Sequence, residues 1–290
     1  MEMAGVQFTK SNSRFGDIAA RMLRNKLGMV GLIIMVTLLI LVIFAPLFTK
    51  YPYFEQSFPD RFLYPNAEHI LGTDNFGRDL WSRMLYGGRI SLLVSLVALV
   101  MSNVVGIIIG AVSGYFGGAV DEIINRILDV LMSIPAMLLA IAVAAALGAG
   151  PVKTSIAIAV TGMPYGARLV RSSVLALKGN EFIEAARATG SSNVRIIFKH
   201  VLPNTLAPII VNATLNIGSN IMAISGLSFV GLGVQPPTPE WGSILSAGRE
   251  FIRDFPPIVI FPALFIGLTI FGINILGDAL RDALDPRLKD

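Results

Sequence analysis

Six runs without a charged residue constrain the fold of this chain more than any other feature. They cover residues 27–49, 90–120, 130–152, 154–167, 201–239 and 255–277. A helix needs about 20 apolar residues to cross the hydrocarbon core of a bilayer, and five of the runs reach that length. The fourth run is shorter, but Arg168 and Arg171 can extend their side chains to the interface, which lengthens it to about residue 174. The sequence therefore predicts an all-α, polytopic membrane protein with six transmembrane helices.

The composition excludes several other classes of protein. Hydrophobic residues make up 54% of the 290 residues and charged residues only 14%, which is not the composition of a soluble domain. The net charge of +4 is explained more simply by basic loops beside membrane spans than by nucleic-acid binding. The chain has no cysteine, so disulfides and thiolate metal sites are excluded. The first apolar run is too long for a signal-peptide core, and we expect an uncleaved span.

The distribution of basic residues predicts the orientation. Six spans place both termini on one side, and if that side is the cytoplasm, 15 of the 23 Lys and Arg residues lie in cytoplasmic segments. The expected organisation begins with a cytoplasmic tail at 1–26, a first span at 27–49 and an extracytoplasmic segment at 50–89. A core domain of five helices follows at 90–280, with a cytoplasmic loop at 178–203, and a cytoplasmic tail at 281–290 ends the chain.

The cytoplasmic loop has the pattern of two short helices separated by a break. Asn180 is a suitable N-cap, and Glu181 and Glu184 place negative charge in the first helical turn. Ala185 and Ala186 keep this helix thin, and Gly190 predicts its end in a left-handed conformation. A structured helix with a small-residue face outside the bilayer indicates a docking surface for a partner. An ordinary solvated loop is the alternative.

The second short helix of the loop is predicted from helical spacing. An apolar face is expected from Val194, Ile197, Phe198 and Val201, which follow the spacing i, i+3, i+4 and i+7. Pro203 is expected to end this helix where the next apolar run begins.

Glycines and prolines inside the apolar runs predict how the helices pack. One face of the second run is lined by glycines at four-residue spacing, Gly106, Gly110, Gly114 and Gly118. Such a face allows close helix contact, within the bundle or with another subunit, and the bundle is favoured. Kinks are predicted in spans three to six, at Pro135, Pro164, Pro208 and Pro262.

Residue patterns for catalysis are absent. The segment 72–78 has glycines at both ends but lacks the Lys-Ser/Thr pair of a phosphate-binding loop. His69 and His200 fall on opposite sides of the membrane and cannot share a metal ion. We therefore expect no enzyme activity, no metal site and no cofactor in this chain.

Carboxylates at mid-membrane depth are typical of ion-coupled carriers. Here the acidic residues closest to the spans are all near predicted helix ends, namely Asp121, Glu122, Asp129 and Asp278. A self-sufficient ion-coupled carrier or channel is therefore the weaker hypothesis, and a structural scaffold does not explain the kinked, glycine-rich spans. Energy for transport would come from a partner.

The loop also resembles a known family. The residues Glu184-Ala185-Ala186, Gly190 and Leu202-Pro203 are similar to the cytoplasmic signature of ABC importer permeases, with His200 at a position that is usually apolar. The resemblance implies that the loop is a coupling helix that sits in a groove on an ATP-hydrolysing subunit. It also implies the type I, MetI-like permease fold.

Further motifs resemble the dipeptide/oligopeptide/nickel branch of this family, and its C-type subunit in particular. They lie at residues 71–74, 77–79, 82–83, 87–92, 229–237, 239–242, 277–278, 280–282 and 284–287. The resemblance implies a cell-membrane importer of di- or oligopeptides built with a B-type permease, two ATPase subunits that bind ATP and Mg, and an extracytoplasmic solute-binding protein. A nickel-chelate importer is the alternative within the branch. Membrane lipid is an expected partner, and nucleic acid is not.

Two groups on the extracytoplasmic side have two interpretations each. One is the charged set Asp74, Arg78, Asp79, Arg83 and Arg89, which forms either a salt-bridged cap on the outer mouth or a purely structural network. The other is the loop between spans five and six, with Pro237, Glu240 and Trp241. This loop either contacts the binding protein or only plugs the bundle.

Overall fold

The structure is a computed structural model that describes Gly16 and residues 21–284, and its regular elements over this part of the chain are helices. One isolated β-bridge pairs Thr73 with Asp79. Short 3₁₀ turns occur at Phe58–Asp60 and Arg249–Phe251, and a π-helical segment at Ile197–Val201. The α-helices are α1 (Lys26–Ile43), α2 (Ala45–Phe48), α3 (Leu80–Phe116), α4 (Gly118–Ser133), α5 (Ala136–Leu147), α6 (Pro151–Lys178), α7 (Glu181–Ala188), α8 (Asn193–Ile196), α9 (Leu202–Phe229), α10 (Trp241–Gly248) and α11 (Pro257–Leu284).

The helix lengths confirm an all-α polytopic membrane protein. Within the described residues, four helical stretches are long and apolar enough to cross a membrane: α1, α3, the continuous stretch Asn193–Phe229, and α11. The bent pair α4 and α5 provides a fifth. Helix α6 has 28 residues, which is about 42 Å of helix and long enough to cross, but it is more polar. The six predicted spans correspond to these six helical units.

The third span differs from its prediction. A single span over 130–152 was expected, whereas the chain forms α4 and α5 at an angle of 92°. The break contains Ile134, which is extended, and Pro135, which precedes α5. Proline disfavours a helical conformation of the residue before it, so the kink predicted at Pro135 is a complete interruption.

The second span begins ten residues earlier than predicted, so the predicted boundary at residue 90 lies inside a helix. Asp79 caps α3, because its side chain accepts a hydrogen bond from the backbone N–H of Ser82. The charged residues Arg83 and Arg89 lie within the first three turns, and their partners, described below, lie outside this helix. The first span also differs slightly, because α1 ends at Ile43 and the short α2 follows.

Helices α3 and α6 pack closely along the predicted glycine face. A Cβ atom at Gly106 would lie 3.1 Å from the backbone nitrogen of Ala167, and one at Gly114 would lie 3.0 Å from the carbonyl oxygen of Arg171. Gly110 likewise faces the backbone of α6. Packing within the bundle is thus confirmed for these three glycines. A Cβ atom at Gly118, past the end of α3, would meet nothing within 4 Å.

Three apolar cores follow one another along α3. One contains Leu80 and Met84 at its start, packed with Ile221, Trp241, Ile244, Phe255 and Ile258. A middle core contains Val94 and Ala98, and the last contains Ala111 and Tyr115, packed with residues of the loop that follows α6. The extended segment before α3 and the loop after α6 therefore lie at opposite ends of this 37-residue helix, which is about 55 Å long.

Candidate functional site

The predicted docking helix is present as α7, with a well-defined end. The backbone N–H of Gly190 donates to the carbonyl of Arg187 at 2.9 Å, and that of Ser191 donates to the carbonyl of Ala186 at 3.1 Å. This pair of bonds is a Schellman motif, which requires a left-handed residue, and Gly190 has a φ of +78°. The predicted conformation of Gly190 is confirmed. Asn180 occupies the N-cap position, but its side chain makes no capping hydrogen bond, contrary to the prediction.

The loop is packed onto the ends of α3 and α6 through a core of its own. Ile183 and Ile196 are fully buried, in one cluster with Tyr115 and Val174. The hydroxyl of Tyr115 also donates a hydrogen bond to Oδ1 of Asn193 at 2.8 Å. The guanidinium carbon of Arg187 lies 5.4 Å from the centre of the Tyr115 ring, a favourable cation–π distance. These contacts hold the loop in one arrangement relative to the bundle.

The outer surface of the loop combines charged, small and large apolar side chains. Glu184 and Ala185 are exposed, whereas Ala186 is only 8% exposed and packs against this chain's own core. The apolar face predicted for the second helix is divided: Ile197 and Val201 are buried, but Val194 and Phe198 are 65% and 66% exposed. Phe182 on α7 is exposed as well. The loop thus presents large apolar side chains, together with a thin alanine face, to its surroundings.

Pro203 does not end the second helix, which is a correction to the prediction. The helix continues from Asn193 to Phe229, with a π-helical turn at Ile197–Val201 immediately before the proline. Proline removes a backbone donor and crowds the preceding turn, and the wider π turn accommodates that defect. The side chain of Asn204 donates to the carbonyl of His200 at 2.7 Å, which satisfies one acceptor of this turn. Leu202 packs against the loop core.

At the other end of α3, most of the charged set predicted on the outer side is internal. Nε of Arg78 lies 2.7 Å from Oδ2 of Asp74, and Nε of Arg83 lies 3.4 Å from the same oxygen. All three side chains are buried. Asp79 pairs instead with Nδ1 of His69, at 2.9 Å. The geometry favours the structural interpretation, since buried and internally paired charges hold the segment before α3 in place.

Arg89 is separate from this network. Its guanidinium group donates to the carbonyl oxygens of Val42 and Ile43, at 2.7 and 2.6 Å, and these are carbonyls at the end of α1. A helix C-terminus has unpaired carbonyls and negative partial charge, which an arginine satisfies well. The predicted five-residue cluster is therefore three features: an ion network, a His–Asp pair and a helix C-cap.

The loop between α9 and α10 also differs from the contact hypothesis. Trp241 is fully buried, and its indole N–H donates to the carbonyl of Met84 at 2.8 Å. Glu240 is fully buried too, and it accepts hydrogen bonds from the backbone of Gly242 and Ser243, which caps α10. Pro237 is exposed. A side chain without exposed area supplies no contact surface, so the plug interpretation fits Trp241 and Glu240.

The sequence interpretation missed an ion network that joins α4 to α6. Arg171 contacts Asp121 through two hydrogen bonds of 2.6 Å, and Ser113 and Asn125 also contact this carboxylate. Asp129 pairs with Arg168 on the more exposed side. The signal was present in the sequence, because Asp121, Asn125 and Asp129 recur every four residues on one helix face.

A cleft of about 430 Å³ opens between α6, α9 and α11, toward the loop end of the bundle. It is mostly apolar, with one amide and one guanidinium among the lining residues Leu169, Ala207, Pro208, Val211, Asn212, Leu215, Arg281 and Leu284. No group of three His, Cys, Asp or Glu side chains suited to a metal ion occurs within residues 21–284.

A bundle of membrane-spanning helices that holds a packed helical loop beyond its end defines a polytopic integral membrane protein with a candidate docking surface. Residues 106–290 match the model of the family described as binding-protein-dependent transport system inner membrane component. Residues 13–65 match the N-terminal TM domain of oligopeptide transport permease C. The chain therefore belongs to the family of binding-protein-dependent inner membrane permeases, in agreement with the resemblance seen in the loop. It is a multi-pass, non-catalytic subunit of a kind that works with ATPase and binding-protein partners.

Individual relatives cover nearly the whole chain. It is 48% identical over 266 residues to the dipeptide transport system permease protein DppC of Alkalihalophilus pseudofirmus, covering 92% of this chain and 88% of the relative. It is 40% identical to the oligopeptide transport system permease protein OppC of Bacillus subtilis, covering 97% and 92%. The glutathione transport system permease protein GsiD of Escherichia coli is 42% identical, covering 93% and 89%.

A solved structure confirms the fold. A chain of the MetNI methionine ABC transporter, in an inward-facing conformation, superimposes with a TM-score of 0.57. The match covers 71% of this chain and 98% of that one at 19% identity. The predicted MetI-like permease fold is thereby confirmed.

Proposed function

We propose that this chain is the C-type transmembrane subunit of an ATP-driven importer of di- or oligopeptides. It forms half of the translocation pathway, together with a B-type permease, and two ATPase subunits supply the energy. A solute-binding protein delivers the substrate. The names of the 48% and 40% identical relatives support peptides as the substrate class. A nickel chelate is an alternative substrate. Glutathione is another, because the glutathione permease GsiD is 42% identical to this chain.

The observation that carries the coupling proposal is the packing of the loop at 178–203. One side of α7, at Ile183 and Ala186, is buried against the bundle, and the other side, at Glu184 and Ala185, is exposed. The helix is therefore held in place and still accessible to a partner. Docking such a surface costs little ordering entropy, because the loop is already packed in one arrangement on the ends of α3 and α6. The exposed Val194 and Phe198 add apolar area of the kind that lies at the centre of protein interfaces.

The proposed cycle follows from this attachment. ATP binding closes the two ATPases and draws the coupling loops of the two permeases together, and hydrolysis releases them. Because each loop shares a core with the ends of α3 and α6, its displacement carries those helices along. The cavity then alternates between outward-facing and inward-facing access. We further propose that both termini and the loop are cytoplasmic and that residues 50–79 are extracytoplasmic.

The test is reconstitution of this chain in vesicles with its B-type partner, the two ATPases and the binding protein. We expect peptide uptake that requires ATP on the ATPase side and the loaded binding protein on the other. Uptake that proceeds without the ATPases, driven by an ion gradient, would establish an ion-coupled carrier instead. Competition by peptides, glutathione and nickel chelates in the same assay identifies the substrate.

A further inference from the structure

Three asparagines form a regular row inside the membrane-spanning part of α9. Asn212, Asn216 and Asn220 are spaced by four residues, so their side chains lie on the same helix face. Each is half-buried. Burying polar side chains in a membrane costs free energy. Such side chains therefore usually line a transport pathway or form a contact between helices.

The amide groups of this row are only partly used within the chain. Nδ2 of Asn216 donates to Oδ1 of Asn212 at 2.7 Å, and Nδ2 of Asn220 donates to the carbonyl of Ser95 at 3.4 Å. No residue in the described part of the chain bonds the NH₂ group of Asn212 or the Oδ1 atoms of Asn216 and Asn220. These atoms are not enclosed, because within the described residues the fully buried side-chain atoms that lack a hydrogen bond are Oδ1 of Asn75, Nε of Arg83 and Oγ of Ser228. The row therefore offers one donor group and two acceptors to a ligand.

The row begins in the cleft described above. Asn212 is one of its two strongly polar lining residues, and Arg281 on α11 is the other. Leu169, Pro208 and Leu215 supply apolar walls around them. A cavity with apolar walls, a cation and a few placed amides is typical of a site for a small organic ligand that carries a negative charge. An extended peptide with a free C-terminal carboxylate has this chemistry.

The spacing of the row fits a peptide backbone. Four residues of α-helix advance about 6 Å along the axis. An extended peptide presents equivalent N–H and C=O groups every two residues, which is about 6.6–7.2 Å. An asparagine amide carries both a donor and an acceptor, as a peptide group does. A row of asparagines can therefore bind the backbone of peptides with different side chains.

We infer that Asn212, Asn216 and Asn220 bind the backbone of extended peptides during transport. Peptides reach or leave this row through the cleft at Asn212 and Arg281. This inference rests on the proposed peptide-import function and adds a binding site to it. Residues that contact the main chain of the substrate allow passage without sequence selection, so selection remains with the binding protein.

Cross-linking in the reconstituted importer tests the site directly, because the chain has no native cysteine. Asn212→Cys and Asn216→Cys are each combined with a peptide that carries a thiol-reactive group. Asn103→Cys is the matched control: Asn103 is a half-buried asparagine of α3 whose side chain donates to the carbonyl of Leu99 in its own helix. We expect ATP-dependent cross-linking at 212 and 216 that exceeds the control at least tenfold. Equal labelling at all three positions, or none at 212 and 216 during normal uptake, would overturn the inference.

A double variant supplies the second measurement. Asn212→Leu with Asn216→Leu raises the apolarity of α9, which favours membrane insertion. We expect peptide uptake to fall at least tenfold, while co-purification with the partner subunits stays within twofold of the parent. Loss of assembly would show that the row is an interface with the second permease, and unchanged uptake would also reject the site. Absence of ATP-dependent peptide uptake by the parent complex is a separate result, because it rejects the proposed function itself.

Discussion

Two neighbouring alanines of α7 lie in different environments, although the family signature treats them as one motif. Ala185 is exposed and Ala186 is buried against the core formed with Tyr115 and Val174. The small size of Ala186 is explained by packing within this chain. The small size of Ala185 has no such explanation within the described residues, and the proposed groove on an ATPase partner would account for it.

This difference gives a first prediction. Ala185→Leu should leave insertion and folding normal but reduce ATPase association or transport at least tenfold, because overpacking a close contact costs about 1–3 kcal/mol and tenfold corresponds to about 1.4 kcal/mol. Ala176→Leu, at an exposed alanine of α6, is the control for added side-chain volume and should be neutral. Ala186→Leu should act differently, by loosening the loop and making it sensitive to protease. Full transport by Ala185→Leu would show that α7 docks in no groove.

Gly190 gives a second prediction at the same scale. Its φ of +78° favours glycine, and a Cβ atom there would meet nothing within 4 Å, so only backbone strain opposes substitution. Left-handed conformation costs an ordinary residue about 1–2 kcal/mol, and asparagine tolerates it better. Gly190→Val should therefore impair ATPase association, and Gly190→Asn should retain most of it. If both variants associate equally well, the Schellman end is not required to position the loop.

At the scale of elements, α4 is held to α6 by two ion pairs of unequal exposure. The side chains of Arg171 and Asp121 are 32% and 18% exposed, against 43% and 52% for Arg168 and Asp129. Arg171 also makes two hydrogen bonds to a carboxylate that Ser113 and Asn125 contact in addition. The inner pair is thus part of a network, and the outer pair is more exposed and has no further side-chain partner among the described residues.

The third prediction compares the two pairs. Arg171→Ala should lower the free energy of unfolding by about 1.5–3 kcal/mol, the range for hydrogen bonds to charged groups. Arg168→Ala should cost less than about 1 kcal/mol, as exposed ion pairs do. Thermal unfolding of the purified complex measures both, and an Asp121→Ala variant completes a double-mutant cycle with Arg171→Ala. Equal small losses for the two arginines would show that α4 is attached by its apolar contacts alone.

The sequence predicts most helices of this chain, because span length, glycine spacing and the glycine that ends a helix are local properties. The end of α7 at Gly190 and the packing of Gly106 and Gly114 on α6 follow from such patterns. The burial of Trp241 does not, since an aromatic residue in a proline-rich loop suits a surface as well as a core, and long-range packing on Met84 decides between them. The 92° angle between α4 and α5 does not follow from the sequence either, although Pro135 marks the position of the break.

At the scale of the whole molecule, the segment before α3 and the loop after α6 lie at opposite ends of the same helix. This separation fits the proposed topology, in which one is extracytoplasmic and the other cytoplasmic. Gln56 in the first and Ser192 in the second are both exposed, so each is reachable by a reagent in the surrounding solution. Their accessibility in intact cells therefore depends on which side of the membrane each occupies.

The fourth prediction uses this pair. In intact cells a membrane-impermeant thiol reagent should label Gln56→Cys and spare Ser192→Cys, while permeabilised cells should show labelling of both. The cysteine-free parent gives no background. Labelling of Ser192→Cys from outside would reverse the orientation and remove the loop from contact with cytoplasmic ATPases.

Helix α3 has one further consequence for the way this molecule works. Its 37 residues contain no proline, whereas α6, α9 and α11 each contain one within the helix. A helix without a proline kink has no bend at which it could shorten. An axial displacement at Tyr115 would therefore also displace Leu80, about 50 Å away. Leu80 and Met84 share a core with Trp241. Under the proposed topology, movement of the loop on one side of the membrane would therefore reach the packing beneath α10 on the other side.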